Sequence, residues 1–174
     1  MSDTGTGTIK HITSRDNPLL LRLRKLAADP AVYRKLGEVW IEGEHLCSAF
    51  VQRGGVAALA VITEDAWQVP ALRALTGGAA SVVMIPAPLM ATLSTLESSA
   101  PLGFVLPWAG AGELAVDQPS VVLDRLQDAG NVGNILRSAS AFGFTQVIAL
   151  KGTDRKSTRL NSSHERLSRM PSSA

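Results

Sequence analysis

The stretch "LDRLQDAGNVGNILRSASAFGF", residues 123–144, decides how this chain is read. Before it, "SVVLD" (120–124) is a β-branched apolar run ending in a carboxylate, the signature of a buried strand. "QDAGNVG" follows, with Gly130 and Gly133 three apart. Glycines there permit positive φ and close approach of backbone to a partner. Asn131 is expected to cap the next helix. Val132, Ile135, Leu136 and Ala139 form its apolar stripe. Gly133 lies one turn before Arg137 and leaves room above the guanidinium. A strand, a glycine turn and a helix presenting Asn131 and Arg137 on one side suit a phosphate or carboxylate. The G-x-x-G spacing departs from the G-x-G-x-x-G of dinucleotide-binding turns, and no G-K-[ST] follows. An ordinary βαβ crossover with a surface arginine stays open at this point. The unit closes on "QVIAL" (146–150), a second strand.

Upstream, Asn17-Pro18 opens a helix, with asparagine as cap and proline at the first position. "PLLLRLRKLAAD" places Leu19, Leu23 and Leu26 on one face and leaves Arg22, Lys25 and Arg24 for solvent or phosphate. "EVWIEG" (38–43) is expected as a strand, and "EHLCSAFVQRGG" (44–55) as a helix stopped by Gly54-Gly55. Strands are expected at 56–62, 81–85 and 103–108, with helices around 64–75 and 88–98. Strands alternating with helices indicate an α/β fold with a largely parallel sheet. Small and turn-forming residues at 109–119 mark a linker.

Residues 1–150 carry 11 Lys/Arg against 13 Asp/Glu, and residues 151–174 carry 6 against 2. The basic character therefore belongs to the tail and does not argue for a nucleic-acid surface on the body. Between Arg155 and Ala174 there are six serines and no Val, Ile or Gly. Residues 153–174 are expected to be a disordered or artefactual tail, similar to translated sequencing-adapter sequence; a genuine basic tail that touches RNA is the alternative. The one cysteine, Cys47, excludes an internal disulfide, and three scattered histidines suggest no metal. No apolar run is long enough to span a membrane and no leader is evident, so a cytoplasmic protein is expected.

Taken whole, "LDRLQDAGNVGNILRSASAFGFTQVIAL" resembles the first motif of the SpoU/TrmH family of RNA 2′-O-ribose methyltransferases, of the SPOUT class. The matching positions are Leu123, Asp124, Asp128, Asn131, Gly133, Arg137 and Ala139; Ala129 stands where proline is usual. "ITSRDNPLLLRLRKL", Tyr33-Arg34-Lys35 and "EVWIEGEHL" are similar to the family's substrate-binding domain. The resemblance implies an α/β chain: an RNA substrate-binding domain over 8–108, the linker, and over 120–152 the first strand–helix–strand of a trefoil-knotted methyltransferase domain, incomplete. It implies S-adenosylmethionine as cofactor, rRNA or tRNA as partner, and homodimers among full-length members. It assigns Asn131 and Arg137 to the catalytic pocket and makes Arg22, Lys25, Arg34 and Lys35 candidate RNA contacts. The family's later cofactor motifs are not recognised here, so the cofactor-binding residues are unknown and the chain as written is expected to be inactive. Its arginine is held to help deprotonate the ribose hydroxyl. A guanidinium stays protonated and has no free acceptor, so positioning and electrostatic stabilisation suit it better. A non-catalytic RNA-binding module is the competing reading.

Overall fold

The computed structural model describes residues 9–29, 31–94, 98–150 and 153. The chain forms two compact units, one up to Ala109 and one from Gly110.

In the first unit, β1 (Lys10–His11) precedes α1 (Pro18–Ala28). Asn17 caps α1, its side chain accepting from the Leu19 N–H at 2.9 Å. Leu20, Leu23 and Leu26 are the buried face; Leu20 takes the place expected of Leu19, which is only half-buried. Then come α2 (Val32–Leu36), β2 (Glu38–Glu42) and α3 (Glu44–Gln52). Gly54, at φ 74°, ends α3: its N–H donates to Val51 and that of Gly55 to Phe50. That pair of bonds is a Schellman motif and satisfies two terminal carbonyls. β3 (Leu59–Thr63) leads into α4 (Glu64–Trp67) and α5 (Pro70–Leu75). The single helix expected over 64–75 is split because Pro70 cannot continue α4 and instead starts α5. β4 (Val82–Ile85), α6 (Ala87–Ala91) and β5 (Leu102–Pro107) complete the unit. The expected helix over 88–98 is confined to α6; residues 95–97 lie outside the described residues.

The sheet runs β1-β4-β3-β5-β2. β4 is parallel to β1 and β3, whereas β5 is antiparallel to β3 and β2. β1 carries no periodicity that a sequence could display. One face packs α1 through Leu20, Leu23, Leu59, Val61, Val83 and Val105. The other packs α3 and its neighbours through Cys47, Ile62, Leu102 and Phe104. Gly103 is required where the ring of Trp40 crosses β5: a Cβ there would lie 2.3 Å from ring carbons.

In the second unit, β6 (Ser120–Leu123), α7 (Ala129–Ala141) and β7 (Gln146–Ala149) form a parallel strand–helix–strand. Leu123, Val147 and Ala149 bury against Val132, Ile135 and Leu136 of α7. Gln146 is a buried polar side chain with its oxygen and both of its N–H donors engaged: it accepts from the Ala115 N–H (2.8 Å), and donates to the Ala115 carbonyl (3.1 Å) and to the Ser120 hydroxyl. Part of the expected linker is thus stitched to β7. α7 also ends in a Schellman motif, with Gly143 at φ 79°.

Candidate functional site

The candidate site lies where β6 ends and α7 begins. Ligands of open α/β sheets sit at the carboxyl ends of parallel strands, where loops leave the sheet. Here that edge is held together by the Leu123 carbonyl, which accepts from the Leu150 N–H (2.8 Å) and the Thr153 hydroxyl (3.0 Å).

Asp128, not Asn131, caps α7: its carboxylate accepts from the Asn131 N–H at 2.7 Å. The reason is one of register. The helix begins at Ala129, so Asn131 is already in its first turn, where its backbone donor needs a cap. Gly130 leaves room for that cap, since a Cβ there would stand 3.1 Å from the Asp128 carboxylate. Gly130 and Gly133 are both helical, so neither supplies the positive φ expected of the turn. That conformation falls on Arg125, at φ 51°. Its guanidinium grips the neighbouring Asp124 with two bonds, 2.9 and 3.2 Å. The hydrogen bond and then the charge of Asp124 raise the Arg125 pKa above its ordinary value.

Arg137 is exposed, and Gly133 does lie beside it: a Cβ on Gly133 would be 3.4 Å from Nη1. Asn131 and Arg137 do not share one side. Six residues at 100° each set them about 120° apart around the axis. Arg137 instead donates to the Oδ1 of Asn134, three residues before it. Sequence reading missed Asn134, although its i, i+3 spacing from Arg137 was a visible signal. The arrangement is a cation oriented by an amide above a glycine shelf, which can bind a phosphate or stabilise developing negative charge.

The four candidate RNA contacts all lie in the first unit. Arg22 Nε is 3.4 Å from Glu38 Oε2. Lys25 and Lys35 are exposed on α1 and α2. Arg34 packs over the Tyr33 ring, 5.1 Å from its centre, and donates to the Tyr33 hydroxyl at 2.9 Å. Tyr33 in turn meets Trp108 edge-to-face at 5.3 Å. Glu42 accepts from Ser94 (2.8 Å) and the Trp40 indole (3.3 Å), so it shapes the first unit from within. Among the described residues no helix is long and apolar enough to cross a membrane.

Comparison with known proteins defines the class first. The fold is similar to an rRNA methyltransferase from Sinorhizobium meliloti, with a TM-score of 0.68, 23% identity, and coverage of 86% of this chain and 57% of that one. It is equally similar, with a TM-score of 0.68 at 19% identity, to the SpoU methyltransferase AviRb from Streptomyces viridochromogenes in complex with AdoMet, covering 80% of this chain and 55% of that one. A structure described as an RNA methyltransferase of the TrmH family, from Porphyromonas gingivalis, is 27% identical, with a TM-score of 0.64 and coverage of 78% and 52%. This is the α/β architecture of SPOUT methyltransferases, and the chain spans little more than half the length of those structures. Residues 118–171 match the SpoU rRNA Methylase family, and with that the kinship read from residues 123–150 is borne out. The match runs through the compositionally distinct tail, which, Thr153 apart, lies outside the described residues. No curated protein sequence matches.

Proposed function

We propose that this chain derives from an S-adenosylmethionine-dependent RNA 2′-O-ribose methyltransferase acting on rRNA or tRNA. The observation that carries the reading is Arg137, held by Asn134 over Gly133 at the strand-end edge of a unit matching the SpoU family. In this role Arg137 binds the phosphate next to the target ribose and stabilises the 2′-oxygen as it loses its proton. Asn131, capped through its backbone, is left with a side chain to orient the ribose. Arg22, Lys25, Arg34 and Lys35 contact the RNA backbone. On this reading the enzyme works as a homodimer in the cytoplasm.

S-adenosylmethionine supplies the methyl group when bound. A guanidinium, an amide and a glycine shelf fit the nucleic-acid side of that transfer and do not by themselves fit an adenosine. The 174-residue chain is therefore expected to bind RNA but not the cofactor, and to be inactive. Calorimetric titration should show no heat with S-adenosylmethionine and a salt-dependent signal with single-stranded RNA. Micromolar cofactor binding would refute the inactivity. Absence of RNA binding at low salt would refute the assignment of the four basic residues.

A further inference from the structure

A groove of about 670 Å³ opens in the first unit between α1, β1 and the starts of β3 and β4. Its volume falls in the range of small-molecule sites. Leu59, Val83 and Val105 of the α1-packed sheet face line it. Its polar lining is rich in donors, with Lys10 and Arg22 the cations. Set among them is one carboxylate, Glu38. Arg22 Nε stands 3.4 Å from Glu38 Oε2, within reach for charge attraction, yet Oε2 is buried and accepts no hydrogen bond from the described residues. A buried carboxylate oxygen without a donor is costly, and the state that relieves it is one in which a donor arrives.

We propose that this groove binds one unpaired guanine nucleotide of RNA. The proposal rests on the RNA reading above. The phosphate goes to Lys10 and Arg22. Arg22 is 43% exposed and held by charge alone, so it can turn onto a phosphate with little loss. That movement uncovers Glu38, whose two oxygens then accept from the base. Among the four RNA bases, guanine offers a carboxylate two adjacent N–H donors on one edge; adenine, cytosine and uracil do not. The apolar lining receives the ring. Lys10 enters through β1, which nothing in the sequence marked.

The test is titration of GMP and AMP into the 174-residue chain, followed by backbone amide shifts. GMP should shift the amides of Lys10–Ile12 and Ser81–Val83 and bind about tenfold more tightly than AMP, the discrimination of one bidentate base contact. Glu38→Gln should bind the two alike. Lys10→Glu, at an exposed position, should weaken both about equally and keep the preference. Equal binding of GMP and AMP by the unaltered chain, shifts elsewhere, or no loss in Lys10→Glu would overturn the proposal. A labelled unstructured RNA separates the two readings. RNA held without guanine preference by all three proteins removes the groove and leaves RNA binding intact. GMP in the groove with RNA ignored removes the RNA reading and leaves a nucleotide site.

Discussion

Gly133 shows how one residue serves two demands. A glycine inside a helix costs about 1 kcal/mol relative to alanine. Its retention is explained by Arg137, whose Nη1 would stand 3.4 Å from an added Cβ. Gly133→Ala is expected to raise helix stability by somewhat under 1 kcal/mol in a thermal melt, because the guanidinium must give way slightly. The same variant should weaken RNA binding, and an unchanged RNA affinity would show that Arg137 is not confined by the shelf. Cys47 is a second case. Burial pushes its thiol up to about 12, against a small opposing effect of the Phe104 backbone. A folded pKa above the unfolded value of about 8.5 means the associated stability is complete at neutral pH and is lost as pH rises. Denaturant midpoints of the first unit should therefore fall between about pH 8.5 and pH 12, and Cys47 should resist alkylation at pH 8 until the chain unfolds. The Cys47 burial was legible from residue type; the Gly133–Arg137 contact was legible from one-turn spacing. The Asn134 contact lay at a legible i, i+3 spacing from Arg137, but that spacing alone does not say that the two side chains meet.

At the scale of elements, caps and stops were the most readable features. Asn17-Pro18 and Gly54-Gly55 bound their helices where chemistry requires. α7 began three residues earlier than its asparagine suggested, because Asp128 competes as cap and wins by register. Ala129 occupies the first helical position, preceded by Asp128 at φ −99° and ψ 116°. That extended geometry is what a residue before proline adopts, and the first helical N–H is dispensable. Ala129→Pro is thus expected to stabilise the second unit by about 0.4–1 kcal/mol, read as a shift in melting midpoint. Gly143→Ala should cost about 1 kcal/mol, since it forces a left-handed conformation on a residue with a Cβ. A gain instead would show that the terminal turn rearranges freely.

Across the described residues, three buried clusters form around two separate sheets. The first sheet is covered on both faces, by α1 on one and α3 on the other. The second has α7 on one face, while Val122 on the other is 57% exposed and pairs in register with Ile148. Exposed β-branched residues on an open strand pair favour association. Val122→Lys is expected to raise the monomer fraction in size-exclusion chromatography without altering the fold; an unchanged elution profile would acquit that face.

The sequence by itself determined the α/β alternation, most helix ends, and the kinship carried by Asp124, Asp128, Asn131, Gly133 and Arg137. These are local or near-local quantities: apolar period, cap chemistry, and spacing within a turn or two. Only the tertiary structure decided that β5 and β2 run antiparallel to their neighbours, that the two residues of β1 join the sheet, and that Glu38 meets Arg22 beside Lys10. Each of those depends on which distant segments pair, and strand pairing is set by the shared burial of both sheet faces, a property no single segment encodes.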